Sequence, residues 1–131
     1  MITAVHTLIY SDDPAATRTF FRDVLRWPFV ADEGDGTDAD DWLIFRSGRS
    51  EVGVHPTAGE RGGQTWTTPR HHDLTLLCDD IGETVAELRE RGAVIEGEPQ
   101  DRGFGVAVMV AVPGADPVML YEPKHRVAYG L

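Results

Sequence analysis

His6 and Asp73 stand 67 positions apart, and so do His55 and Glu122 (73 − 6 and 122 − 55). Imidazoles and carboxylates exchange protons near neutral pH, and both ligate divalent metals. The same spacing relates other residues. Asp12-Asp13 returns as Asp79-Asp80, Thr17 as Thr84, Arg22 as Arg89, Gly36 as Gly103 and Pro56 as Pro123. In each half an apolar run ends in an acidic pair, an amphipathic helix follows, and later apolar runs stop just before a proline. The second half therefore reads as a diverged copy of the first. A duplicated unit builds its site between the copies, so equivalent positions form a set.

The elements that must position these residues follow from local pattern. Ala4 to Tyr10 reads as a strand. Asp13 caps a helix that Pro14 opens. Ala16, Phe20, Phe21 and Val24 recur at helical spacing, and Pro28 ends the run beyond Arg26. Phe29 to Ala31, Trp42 to Arg46 and Glu51 to His55 read as strands, with an acidic loop from Asp32 to Asp41. That loop lacks the spacing and closing Glu of an EF-hand. Residues 57–70, rich in glycine and without apolar period, read as a linker. The second half opens with a strand from His72 to Cys78. Asp80 and Glu83 make a capping pattern, with Ile81, Val85 and Leu88 as the buried face and Gly92 at the helix end. Val94-Ile95, Val106 to Val112 and Pro117 to Tyr121 are the remaining strands, with a turn at Arg102 to Gly105. Each half is βαβββ, with the first unit in 1–56 and the second unit and tail in 71–131.

Bulk properties narrow the function. A chain of 131 residues suits one compact domain. The net charge of −10 argues against nucleic-acid binding and is compatible with cationic small molecules. The lone Cys78 leaves no internal disulfide, and no apolar run is long enough to span a membrane. The expectation is a cytoplasmic protein without a membrane partner.

The segments HTLIYSDDPAATRTFFRDVL, LTLLCDDIGETVAELRERGA and GFGVAVMVAVPGADPVMLYEP resemble the vicinal oxygen chelate superfamily. It groups glyoxalase I, bleomycin-resistance proteins, thiol transferases and extradiol dioxygenases. The resemblance runs from Ile2 to Pro123 and implies an α+β fold: two βαβββ units whose eight strands form an incomplete barrel around a cup. Strand alternation then assigns faces. Leu74, Leu76 and Cys78 lie under the second helix, so Asp73 and Thr75 face the cup. By the offset His6, Leu8 and Tyr10 face it too.

The resemblance implies one metal ligand on the first, fourth, fifth and eighth strands. Those positions are His6, Val52, Asp73 and Met119. Valine cannot coordinate, and a thioether suits hard or borderline ions poorly. The favoured reading has no metal cofactor: His6 and Asp73 are candidate catalytic groups, and Tyr10, Val52, Thr75, Met119 and Tyr121 line a ligand site. The rival register exchanges strand faces and offers His6, His55, His72 and Glu122 to a divalent Ni, Zn, Mn or Fe ion. It needs bulges in three strands. The expected function is small-molecule binding in the cup. The alternative is a metal-dependent glyoxalase-like lyase or isomerase, or an extradiol dioxygenase. A homodimer is expected, since the superfamily usually completes its cups at a subunit interface.

Overall fold

The computed structural model describes residues 6–31, 36–38, 41–51, 53–54 and 56–128. The architecture is mixed α+β, with eight strands in three sheets that do not close into a barrel. The second unit is a complete βαβββ. Strand β5 (Thr75–Leu77) leads to helix α2 (Ile81–Glu90), then β6 (Ile95–Asp101), β7 (Gly105–Val110) and β8 (Val118–Pro123). These form a four-stranded sheet in the order β5-β8-β7-β6, with β5 parallel to β8 and the other pairs antiparallel.

Helix α2 forms where its caps are. The Asp80 carboxylate accepts from the Glu83 N–H at 2.8 Å. At the other end Gly92 takes φ 87°, and the Gly92 and Ala93 N–H groups bond back to the Arg89 and Leu88 carbonyls. That is a Schellman motif, which needs a left-handed residue. Ile81, Val85 and Leu88 are buried against the sheet, as their spacing predicts. Each such side chain contributes about 1.5–3 kcal/mol by leaving water.

The first helix repeats the design. Helix α1 (Pro14–Thr19) is capped by Asp13, which accepts from Ala16 N–H at 3.0 Å. The Thr17 and Thr84 hydroxyls lie 3.2 and 2.6 Å from the Asp13 and Asp80 carbonyls, so the 67-residue offset extends to matching contacts. The ends differ. Helix α1 widens into a π turn over Phe20–Val24, and Arg26 rather than a glycine takes the left-handed position at φ 57°. The wider turn absorbs one more residue before that position than α2 needs.

Phe20 and Phe21 share one core with Val85, Leu88, Val108, Val110 and Leu120, so the halves pack as a single body. The start of α1 also docks on the turn between β7 and β8. There Thr17 Oγ1 donates to the Pro113 carbonyl at 2.6 Å, and Asp12 N–H donates to the Gly114 carbonyl at 2.8 Å.

Elsewhere the first half departs from expectation. Among the described residues, strands β1 (Phe29–Ala31) and β2 (Leu43–Phe45) pair only with each other. Residues 6–10 form no strand, and neither do the described residues of the segment 51–55. In the second unit the equivalent strands, β5 and β8, pair with each other. Among the described residues neither segment therefore offers the other a paired strand, and Gly53 weakens the later one. The expected linker 57–70 is instead ordered as a hairpin of β3 (Ala58–Arg61) and β4 (Gln64–Thr67). Gly62 and Gly63, at φ 58° and 78°, make its two-residue turn. Trp66 packs over Gly59, where a Cβ would meet its ring at 2.7 Å.

Candidate functional site

Directly paired residues point to the same face of a sheet. The register therefore lays out the face of the four-stranded sheet away from α2 as two rows. Thr75, Met119, Met109 and Glu96 form one, and Leu77, Tyr121, Ala107 and Gln100 form the other. The opposite face carries Leu76, Leu120 and Val108, with Val118, Val110 and Ile95, all in or against the core. Met109, Met119 and Ala107 line a recess of about 110 Å³, rimmed by Glu96, Gln100 and Arg102. The bulge between Glu96 and Gln100, with Gly97 at φ 77°, sets this rim.

The sequence-predicted site residues divide. Thr75, Met119 and Tyr121 share the recess face, in the favoured register. Glu122 points the other way, and its carboxylate accepts from the Ile81 N–H at 3.0 Å, at the start of α2. With Asp80 it satisfies donors of the first helical turn, and its negative charge suits that helix end. Cys78 packs against the core side, where burial pushes its thiol pKa up. His72 is exposed and precedes β5. Asp73 also precedes it and meets His71 Nε2 at 3.2 Å. The Pro69 carbonyl, then Asp73, holds the His71 imidazole above its usual value. His6 is exposed and outside any strand. Tyr10, 91% exposed, lines a second hollow of about 290 Å³ with Asp12, Gly114, Ala115 and Asp116. Val52 and His55 lie outside the described residues.

One partner of Tyr121, His125, has no signal in the sequence. Tyr121 is buried beneath Phe104, whose ring meets it edge-on at 5.4 Å, and its hydroxyl lies 3.1 Å from His125 Nε2. The His125 Nδ1 lies 3.0 Å from the Arg126 carbonyl. A carbonyl only accepts, so Nδ1 carries the proton, and in the neutral ring Nε2 accepts from Tyr121. The tail that supplies His125 is pinned on both sides. Lys124 N–H donates to the Phe104 carbonyl at 2.8 Å, and its ammonium pairs with Asp101. Ala128 N–H donates to the Glu51 carboxylate at 2.7 Å. No repeat or motif marks His125, because the offset would place its counterpart at Ala58 (125 − 67).

The sequence profile described as the Glyoxalase/Bleomycin resistance protein/Dioxygenase superfamily matches residues 3–124. The chain belongs to this superfamily. Solved structures agree on the fold. TnmS3, an antibiotic binding protein from Streptomyces sp. CB03234, is 19% identical with a TM-score of 0.60, over 94% of this chain and 98% of that one. A superfamily member from Sphaerobacter thermophilus DSM 20745 is 21% identical with a TM-score of 0.55, over 92% and 98%. Lactoylglutathione lyase from Agrobacterium tumefaciens is 17% identical with a TM-score of 0.52, over 92% and 94%. No curated protein matches the chain significantly.

The superfamily's usual divalent ion does not fit the residues present at its positions. Met119 offers a thioether, and position 52 a valine with no donor. Asp73 is exposed and engaged by His71, and His6 stands outside the sheet. In the rival set, the Glu122 carboxylate is engaged by the Ile81 N–H. No described helix is long and apolar enough to cross a membrane.

Proposed function

We propose that this superfamily member binds a small molecule carrying an aromatic group against the recess face of its four-stranded sheet, without the usual metal. The carrying observation is the Met109–Met119 pair, directly opposed in register and half-buried on the recess face. Methionine is flexible and polarizable, fills irregular gaps and makes favourable contacts with aromatic rings. An apolar cavity of about 150 Å³ holds one benzene, so the recess is on the scale of a single ring. Glu96, Gln100 and Arg102 at its rim supply polar contacts that would orient the remainder of the ligand. The antibiotic-binding neighbour supports a binding role on this fold.

A panel of aromatic and cationic aromatic compounds, titrated against tryptophan fluorescence in the presence of chelator, tests the reading. Saturable binding that Met119→Ala weakens several-fold is expected. Absence of any saturable signal across the panel would overturn it.

The same reading includes a homodimer. Leu8 is 57% exposed and Val54 96%, and β5 lies at a sheet edge. Apolar groups and strand edges left open in this way invite a second copy. Light scattering should give twice the 14.4 kDa chain mass, and a monomer at micromolar concentration would refute the dimer. A cytoplasmic location accords with the lone Cys78, and cell fractionation tests it.

A further inference from the structure

We infer that the recess selects aromatic ligands with a cationic group at one end of the ring and an anionic group at the other, Glu96 meeting the cation and Arg102 the anion. The inference rests on the recess-face binding reading and names the ligand class of that site. Three observations carry it. Glu96 and Arg102 both line the recess that holds Met109 and Met119. Neither charge is neutralised nearby: among the described residues no ion pair or side-chain hydrogen bond engages the Glu96 carboxylate or the Arg102 guanidinium, and the two do not pair with each other. Their neighbours differ. Glu98, also on the lining, pairs with Arg89 at 2.9 Å, and Asp101 pairs with Lys124.

The register sets the two charges apart. Glu96 lies directly opposite Met109, and the Arg102 N–H donates to the Gly105 carbonyl at 2.8 Å. Met109 and Gly105 are four residues apart on β7 (109 − 105), about 13 Å of strand. Two long side chains reaching into the recess across that span leave room for one ring with a group at each end. The rim is also stiff. Its bulge sets Gly97, Glu98 and Pro99 against Val108 alone. Gly97 takes φ 77°, and the Pro99 ring fixes its own φ. Arg89, on α2, clamps the bulge by donating to the Gly97 carbonyl at 3.2 Å and to Glu98. Glu96 is therefore held at one end of the recess before a ligand arrives, which lowers the ordering cost of binding. A ligand with both charges on one carbon, such as a free α-amino acid, cannot meet both residues.

The test uses four probes. 4-(Aminomethyl)benzoate carries both charges across one ring, benzylamine only the cation, benzoate only the anion and 2-naphthol neither. Each is titrated into the full-length chain, with the Met109 and Met119 methyl signals followed by NMR. An exposed ion pair corresponds to at most about a fivefold gain, so 4-(aminomethyl)benzoate should bind at least about threefold more tightly than either singly charged probe. That margin should shrink at high salt. Glu96→Gln should bring 4-(aminomethyl)benzoate down to the affinity of benzoate without weakening benzoate. Arg102→Gln should bring it down to the affinity of benzylamine without weakening benzylamine. A distorted recess would instead weaken all the probes together, the uncharged 2-naphthol included. No margin over the singly charged probes in the parent, or a margin that survives both substitutions, overturns the inference, while 2-naphthol binding keeps the recess-face reading. If no probe shifts either methyl signal, that reading fails as well.

Discussion

Replacing Glu122 by alanine separates its role at the helix from any role as a ligand. Its carboxylate holds the Ile81 N–H at 3.0 Å, and Ile81 is only 8% exposed, so water replaces this acceptor poorly. Asp80 already serves the Glu83 N–H. A hydrogen bond to a charged group is worth about 1.5–3 kcal/mol. Glu122 itself is half-buried, which favours the lower end, about 1.5–2 kcal/mol. Glu122→Gln keeps an acceptor and removes only the charge at the helix start, costing about 0.5 kcal/mol. For a chain of this size the alanine variant should melt about 5–8 °C lower. Denaturant unfolding followed by circular dichroism reads the difference, with the glutamine variant between parent and alanine. Ligand affinity should stay within about twofold, because Glu122 lies on the face opposite Met119. Equal stability of parent and alanine variant, together with loss of ligand or metal binding, would refute the reasoning and revive the rival ligand set.

Three further outcomes follow from the geometry. Gly105→Ala would drive a Cβ to 2.4 Å from the Glu122 carbonyl, a backbone atom fixed in β8, and should cost about 2 kcal/mol or more by denaturant unfolding. Gly53→Ala meets nothing within 4 Å and has no positive φ, so the same measurement should find it neutral or stabilising by about 0.5 kcal/mol. The His71 imidazole, held up first by the Pro69 carbonyl and then by Asp73, should titrate above about 6.5 in NMR, and Asp73→Asn should lower its midpoint. A raised folded pKa means that its stabilisation is fully present below the unfolded value. That stabilisation is lost as pH rises through the folded one. A midpoint unmoved by Asp73→Asn would contradict the pairing.

The second half was legible because its local and global signals agree. The Asp80 cap, the Ile81, Val85 and Leu88 face and the left-handed Gly92 each follow from position-specific chemistry, and all are found. Strand alternation also placed Leu74, Leu76 and Cys78 beneath the helix. In β8 the faces were ambiguous from polarity, because Glu122 shares a face with the core residues Val118 and Leu120. Its carboxylate is tolerated there because it reaches a helix end that needs an acceptor. The hairpin over 58–67 was missed because Trp66 is its only large apolar residue; the ribbon is held by pairing and by a Gly-Gly turn rather than by an apolar face. Residues 6–10 and the described residues of 51–55 have strong local pattern in places but form no strand, since a strand exists only with a partner and pattern does not show whether the partner forms. His125 was invisible for a related reason. Its role depends on a tail that folds back, and neither the repeat nor any motif encodes that return.

The most direct test of the central claim is a titration of protein with carbon-13-labelled methionine methyl groups, with 2-naphthol as ligand and chelator present throughout. The account predicts that the Met109 and Met119 signals shift together along one saturation curve, unchanged when the chelator is omitted. Saturable binding that leaves both methyl groups unmoved, or that appears only when a divalent ion is added, would contradict it.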